Sequence, residues 1–241
     1  MSLVLPTKKV AAKSQSPRKL IIYSKPKVGK TSALAELENA LIIDLEKGTD
    51  FLDAMKVQVN DLTELKQVGQ AIIDAGKPYK YIVIDTITKL EDMCLPLALT
   101  MYRKTPMGKN FDGTNVLTLP NGAGYLYLRE AIDSVVKYLD TLSERIIYLG
   151  HIKLKSIEKN GKEVTASDLD LTGKIKSMMS ADVDAIGMLY REGSKNILSF
   201  KTTDDVICGA RPKHLKNQEV VLSEIDEKGN VTVDWSKVFI D

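Results

Sequence analysis

Nine residues, Ser24-Lys25-Pro26-Lys27-Val28-Gly29-Lys30-Thr31-Ser32, follow directly on the apolar run Leu20-Ile21-Ile22-Tyr23 and lead into a helical pattern that begins near Lys30. A GxxxxGK[ST] pattern between a strand and a helix holds phosphate, because successive backbone N–H groups and the helix N-terminus converge on the anion. Ser24 stands in place of the first glycine, while Gly29, Lys30 and Thr31 keep the positions nearest phosphate. All nine residues are therefore expected around a nucleotide, with the Lys30 ammonium on the β/γ oxygens and the Thr31 hydroxyl on Mg2+.

The rest of the chain fits the α/β layering that such a strand-to-helix loop demands. Leu41-Ile42-Ile43, Tyr81-Ile82-Val83-Ile84 and Ile146-Ile147-Tyr148-Leu149 are nearly continuous apolar runs, expected of strands covered on both faces of a parallel sheet. Helical patterns separate them, at about Leu62–Ala75, Ile87–Tyr102 and Gly124–Leu142. Asp184–Tyr190 and Asn196–Thr202 read as strands joined by the turn Glu192-Gly193-Ser194-Lys195. Two stretches, Lys104–Gly122 and Lys153 to about Thr172, read as long irregular connections, and loops of that length tend to carry function. Asp85 ends the apolar run Tyr81–Ile84, which predicts a carboxylate at the carboxyl edge of a central strand, near the phosphate loop and able to share Mg2+ with Thr31. Thr86 and Thr88 compete with it for helix capping.

Composition narrows the class further. The 241 residues carry 34 basic and 32 acidic side chains, too balanced for net charge to name a partner. Within the first 20 residues, Lys8, Lys9, Lys13, Arg18 and Lys19 are unopposed by any acid, so the start reads as a basic arm. Cys94 and Cys208 lack metal-ligand spacing and fit a reducing compartment. With no apolar run of membrane-spanning length and no leader-like start, a cytoplasmic protein without a membrane partner is expected.

On these residues the chain resembles the RecA-like P-loop ATPases, in particular the short phage-encoded RecA-core proteins of single-strand annealing and homologous recombination. The resemblance spans about residues 19–215. It implies a three-layer α/β core with a mostly parallel sheet and a C-terminal antiparallel extension, preceded by a flexible arm over 1–18 and followed by a tail over 216–241. It also implies ATP and Mg2+ as cofactors, a homo-oligomeric ring or filament, single-stranded DNA and other recombination or replication proteins as partners, and a host-cell cytoplasm if phage-encoded.

Several residues take roles from that resemblance. Leu41-Ile42-Ile43-Asp44-Leu45-Glu46 matches the family strand ending in acid-x-Glu, which makes Glu46 the candidate for aligning the attacking water and Asp44 an orienting or capping residue. His151, after Tyr148-Leu149-Gly150, stands where the family carries its γ-phosphate sensor, and an imidazole can donate to a phosphate oxygen. Arg211 and Lys213, in Gly209-Ala210-Arg211-Pro212-Lys213-His214, match the late basic motif that reaches a neighbouring subunit's nucleotide, as arginine fingers do.

The loop after His151 offers Lys153, Lys155, Lys159 and Lys162 to a nucleic-acid backbone, and the earlier loop offers Arg103, Lys104 and Lys109 interleaved with Tyr102 and Phe111. The expected activity is DNA-stimulated, assembly-dependent ATP hydrolysis. Two alternatives remain open at this point. One is a nucleotide-gated scaffold with negligible turnover; the other is a small-molecule or nucleotide kinase, for which no arginine-rich lid segment is evident.

Overall fold

The computed structural model describes residues 5, 7–12, 14–159, 162–203 and 206–241, and side chains are described for all of these except 157–159 and 162–164. In chain order the strands and helices are β1 (Lys19–Ser24), α1 (Lys30–Ala35), β2 (Ala40–Asp44), β3 (Lys56–Gln58), α2 (Leu62–Asp74), β4 (Tyr81–Asp85), α3 (Ile87–Met93), α4 (Leu95–Arg103), α5 (Gly124–Leu139), β5 (Arg145–Lys159), β6 (Lys162–Leu169), α6 (Gly173–Asp182), β7 (Ala185–Glu192), β8 (Lys195–Ser199), β9 (Gly209–Ala210), β10 (Glu219–Ile225) and β11 (Val231–Val233).

The strands of the described residues join into one sheet of order β11-β10-β8-β7-β1-β5-β4-β2-β3, with β6 paired to β5 and β9 to β7. The six strands from β7 to β3 run parallel, and β8, β10 and β11 extend the sheet antiparallel. Strand β5 lies between β1 and β4, so the phosphate-loop strand and the Asp85 strand are next-but-one neighbours.

Each central strand is apolar throughout because each faces two cores. Ile21, Tyr23, Ile43, Ile82, Ile84, Ile146 and Tyr148 point into one, roofed by α2 to α6. Leu20, Ile22, Ile42, Val83, Ile147 and Leu149, their neighbours by one residue, point into the other, roofed by α1 and the C-terminal segment. This yields three layers. The C-terminal segment is pinned to α1 by the Trp235 indole N–H, which donates to Ala33 O at 2.8 Å. Arg145 Nη2 meets Asp241 Oδ1 at 2.7 Å, and Asp241 also accepts from the Gln15 backbone N–H, so residues 15, 145 and 241 converge at the amino edge of the sheet.

Two expectations change. The stretch from Lys153 is not irregular: β5 continues past the sheet and pairs antiparallel with β6 from Ile152↔Leu169 to Lys159↔Lys162. The alternation of single apolar residues (Ile152, Leu154) with lysines is a two-residue period diluted by charge. The helix expected over Ile87–Tyr102 is two helices, because Pro96 lacks the N–H that a continuous helix needs and instead sits in the first turn of α4. Strand β3, of only three residues and without an apolar run, is an element the sequence reading did not place.

Candidate functional site

Strand register brings the site together before any side chain is considered. Ser24 pairs with His151 across β1 and β5, Asp85 with Leu149 across β4 and β5, and Asp44 with Asp85 across β2 and β4. The carboxyl ends of four adjacent parallel strands thus present the phosphate loop, His151, Asp85 and the start of the Glu46 loop along one edge, where open α/β sheets bind ligands.

The phosphate loop makes its turn with Gly29 at φ +103°, a left-handed conformation that favours glycine, and α1 begins at the next residue. Lys30 is buried at 8% exposure, and its Nζ donates to Ser24 Oγ at 2.9 Å. Ser24, where the motif has glycine, is itself fully buried and donates to Lys25 O at 2.6 Å, so its hydroxyl is an added anchor for the lysine. Burial pushes the Lys30 ammonium below its ordinary pKa, and the charges of Asp85 and Glu46 pull it part of the way back. A desolvated ammonium in this setting gains most when an anion joins it.

Thr31 Oγ1 donates to Asp85 Oδ2 at 2.7 Å, so the two metal candidates are in direct contact although 54 residues apart. Burial, reinforced by the charges of Glu46 and Asp44, raises the Asp85 carboxyl pKa against the opposing pull of Thr31 and Lys30. A hydroxyl beside a carboxylate is a hard oxygen pair that suits Mg2+, which keeps several waters and takes phosphate oxygens as further ligands. Among the described residues no group of three or more His, Cys, Asp and Glu gathers to hold a metal.

Glu46 and His151 meet. Glu46 Oε1 lies 2.9 Å from His151 Nε2 and accepts from Thr86 Oγ1 at 2.6 Å. Thr86 also caps α3 through Lys89 N, which ties the carboxylate to the start of that helix. The other imidazole nitrogen of His151, Nδ1, is buried with no hydrogen-bond partner. Asp44 organises the loop bearing Glu46: fully buried, it accepts from Glu46 N at 2.9 Å, Thr49 N at 3.0 Å and Thr49 Oγ1 at 2.7 Å.

The cations expected on nucleic acid are more committed than their sequence suggests. Tyr102 packs edge-on against Phe111, with ring centroids 5.4 Å apart, and against Tyr127 at 5.1 Å. Arg103 donates to Phe111 O at 3.2 Å and Gly113 O at 3.0 Å. The expected interleaving of aromatic and basic groups is therefore internal packing of the loop, which leaves Lys104 and Lys109 exposed on it. Lys153 pairs with Asp170 at 3.3 Å and Lys155 with Asp168 at 2.9 Å, while Lys176 also joins Asp168. The side chains of Lys159 and Lys162 lie outside the described residues.

Arg211 and Lys213 are placed at the opposite edge. Strand β9 pairs with the first residues of β7, at the amino end of the parallel strands. Arg211 there donates to Asp184 Oδ1 and Ala181 O of its own chain. Within one copy neither residue approaches the phosphate loop.

Sequence spacing missed Arg191 and Asn196. Arg191 Nη2 reaches Val28 O at 3.5 Å and its Nε donates to Asn196 Oδ1 at 3.1 Å, which braces the phosphate loop from the β7–β8 hairpin. That hairpin was legible, but nothing in the sequence ties it to a loop 163 residues away.

A family model described as AAA domain matches residues 16–212. No curated protein matches. Among solved structures, a crystal structure of the RadB recombinase aligns with a TM-score of 0.45 and 13% sequence identity over 90% of each chain. With the family match covering most of its length and the phosphate loop at the carboxyl edge of its parallel sheet, the chain belongs to the AAA domain family.

Proposed function

We propose that this chain hydrolyses ATP with Mg2+ in an assembly-dependent way, binds single-stranded DNA, and supports recombination or strand annealing. The observation that carries the reading is the Glu46–His151 contact at 2.9 Å, made at the point where β5 leaves the sheet and becomes the lysine-bearing hairpin.

In this reading Lys30 and the backbone N–H groups of residues 27–32 hold the phosphates, Pro26 having no N–H to offer. Thr31 and Asp85 hold Mg2+, which when bound neutralises charge on the β- and γ-phosphates. Glu46, kept in place by Thr86 and by the Asp44-organised loop, aligns the attacking water. His151 shares its Nε2 proton with Glu46 and is in line to exchange that partner for a γ-phosphate oxygen. Because His151 and the hairpin are one strand, a change of partner at the phosphate edge is transmitted to Lys153 and Lys155 without any intervening loop. Arg211 and Lys213 act on a neighbouring copy's nucleotide.

The test is the anisotropy of a labelled oligodeoxythymidylate with ATP·Mg2+ and with ADP·Mg2+, for wild type and Lys153→Glu/Lys155→Glu. Binding stronger with ATP, and weakened by the double substitution, supports the reading. Binding indifferent to nucleotide, or unaffected by reversing both charges, overturns the coupling.

A further inference from the structure

Strand β7 runs parallel to β1 as far as the pair Tyr23↔Met188 and then continues past the end of β1, which carries Arg191 alongside the phosphate loop. Arg191 is exposed, and both hydrogen bonds that its guanidinium makes among the described residues go to neutral oxygens. Nε donates to Asn196 Oδ1 at 3.1 Å and Nη2 to Val28 O at 3.5 Å. Arg145 and Arg211, by contrast, each meet an aspartate. A cation held against the phosphate loop with no carboxylate to meet it is prepared for an anion that arrives from outside.

The strands behind Arg191 are arranged to hold it there. Asn196 lies opposite Arg191 across β7 and β8, and Ser223 lies opposite Asn196 across β8 and β10. Both are buried, at 5% and 3% exposure, and Asn196 Nδ2 donates to Ser223 Oγ at 2.9 Å. The pairing of β10 with β8 shifts register between Val221 and Ser223; an unshifted ladder would set Leu222 opposite Asn196. A bulge of this kind re-aims a side chain, and here it supplies the partner of the Asn196 amide and leaves Oδ1 to accept from Arg191. Buried polar groups stabilise a core less than apolar ones of similar size, so the row Ser223–Asn196–Arg191 serves to aim the guanidinium.

We propose that Arg191 is a ligand of the nucleotide supplied in cis, exchanging Val28 O for oxygens of the α- and β-phosphates, with Asn196 and Ser223 as its positioning residues. The sheet order decides which phosphates it meets. Glu46, Asp85 and His151, which face the γ-phosphate in the reading above, come from the loop after β2, from β4 and from β5 on one side of β1, whereas Arg191 comes from β7 on the other. Val28 lies ahead of Lys30, in the stretch of loop whose backbone cradles the α- and β-phosphates. The inference rests on the nucleotide reading of that loop and extends the site into the antiparallel half of the sheet.

Phenylglyoxal labelling of the full chain with and without ADP·Mg2+, read peptide by peptide by mass spectrometry, tests the contact. ADP is expected to slow modification of Arg191 by about tenfold and to leave Arg18, exposed at the amino edge, unchanged. Fluorescence titration tests its contribution: Arg191→Gln is expected to weaken ATP and ADP alike, by about tenfold. Asn196→Ala is expected to weaken both in the wild-type background and to have no further effect on Arg191→Gln, because it acts only through the arginine. Arg191→Gln changes an exposed position, so it and the labelled wild type carry the test by themselves if Asn196→Ala does not fold. Modification of Arg191 at the same rate with ADP as without, unchanged affinity in Arg191→Gln, a loss confined to ATP, or an Asn196→Ala effect undiminished in the double variant overturns the proposal. A wild type that binds neither nucleotide refutes the nucleotide reading itself, whereas bound ADP that leaves Arg191 unprotected refutes only the part given to Arg191.

Discussion

Asp44→Asn tests whether the carboxylate behind Glu46 holds the loop that carries it. Asp44 is fully buried and accepts three hydrogen bonds, two from backbone N–H groups and one from the Thr49 hydroxyl. An asparagine keeps the shape but turns an NH2 group toward at least one of those donors. One charge-assisted bond is lost and one buried donor is left unmatched, which together cost about 2–4 kcal/mol. The pH dependence has a definite sign. Burial alone raises the Asp44 pKa, but the hydrogen bonds from Thr49 and from the Glu46 backbone outweigh it and hold the carboxyl below its ordinary value. A carboxyl with a depressed folded pKa gives its full stabilisation above the unfolded value of about 3.9 and loses it as pH falls through the folded pKa. The gap between wild type and Asp44→Asn should therefore be constant through neutral pH and narrow only below about pH 4. Urea unfolding followed by the fluorescence of Trp235, the single, buried tryptophan, reads both quantities. A gap under about 0.5 kcal/mol at neutral pH, or one that widens in acid, refutes the reasoning.

Other consequences are equally direct. Asp85→Asn should separate stability from activity. The folded Asp85 carboxyl is pushed upward by burial and by its acidic neighbours, so its ionised form costs stability above the unfolded pKa. The neutral variant should melt higher than wild type at neutral pH, lose that advantage in acid, and lose Mg2+-dependent hydrolysis; an unchanged or lower melting temperature contradicts this. Lys30→Ala should weaken ATP binding by about tenfold or more, read by calorimetry, and unchanged affinity removes the phosphate-loop assignment. His151→Gln keeps a donor for Glu46, so it should retain part of the DNA stimulation that His151→Ala loses. Equal effects of the two substitutions contradict a hydrogen-bonding role.

How much of this was legible in the sequence depends on the length scale of the signal. The apolar strands β1, β2 and β4 and the sheet-embedded first half of β5 announced themselves, because a strand covered on both faces has no polar positions to interrupt it. The phosphate loop did the same, since its geometry needs Gly29 and its chemistry needs Lys30 and Thr31 in consecutive places. Asp44 and Asp85 were legible at the ends of apolar strands and His151 where the apolar run of β5 ceases; parallel register then placed these three on one edge, with Glu46 two residues beyond Asp44. The hairpin of β5 and β6 was missed because an exposed two-stranded ribbon buries little, and its lysines mask the alternation. Arg191 and Asn196 were missed because their link to Val28 exists only after β7 has packed beside β1. The position of Arg211 at the amino edge depends on β9 reversing onto β7, a two-residue pairing that leaves no trace in composition.

Steady-state ATP hydrolysis with and without single-stranded DNA, for wild type and Glu46→Gln across a range of protein concentrations, tests the central claim most directly. The account predicts a rate per subunit that rises with concentration and with DNA and is abolished by a substitution that leaves ATP bound. A rate that is negligible under every condition despite tight ATP binding, or that survives Glu46→Gln undiminished, contradicts it.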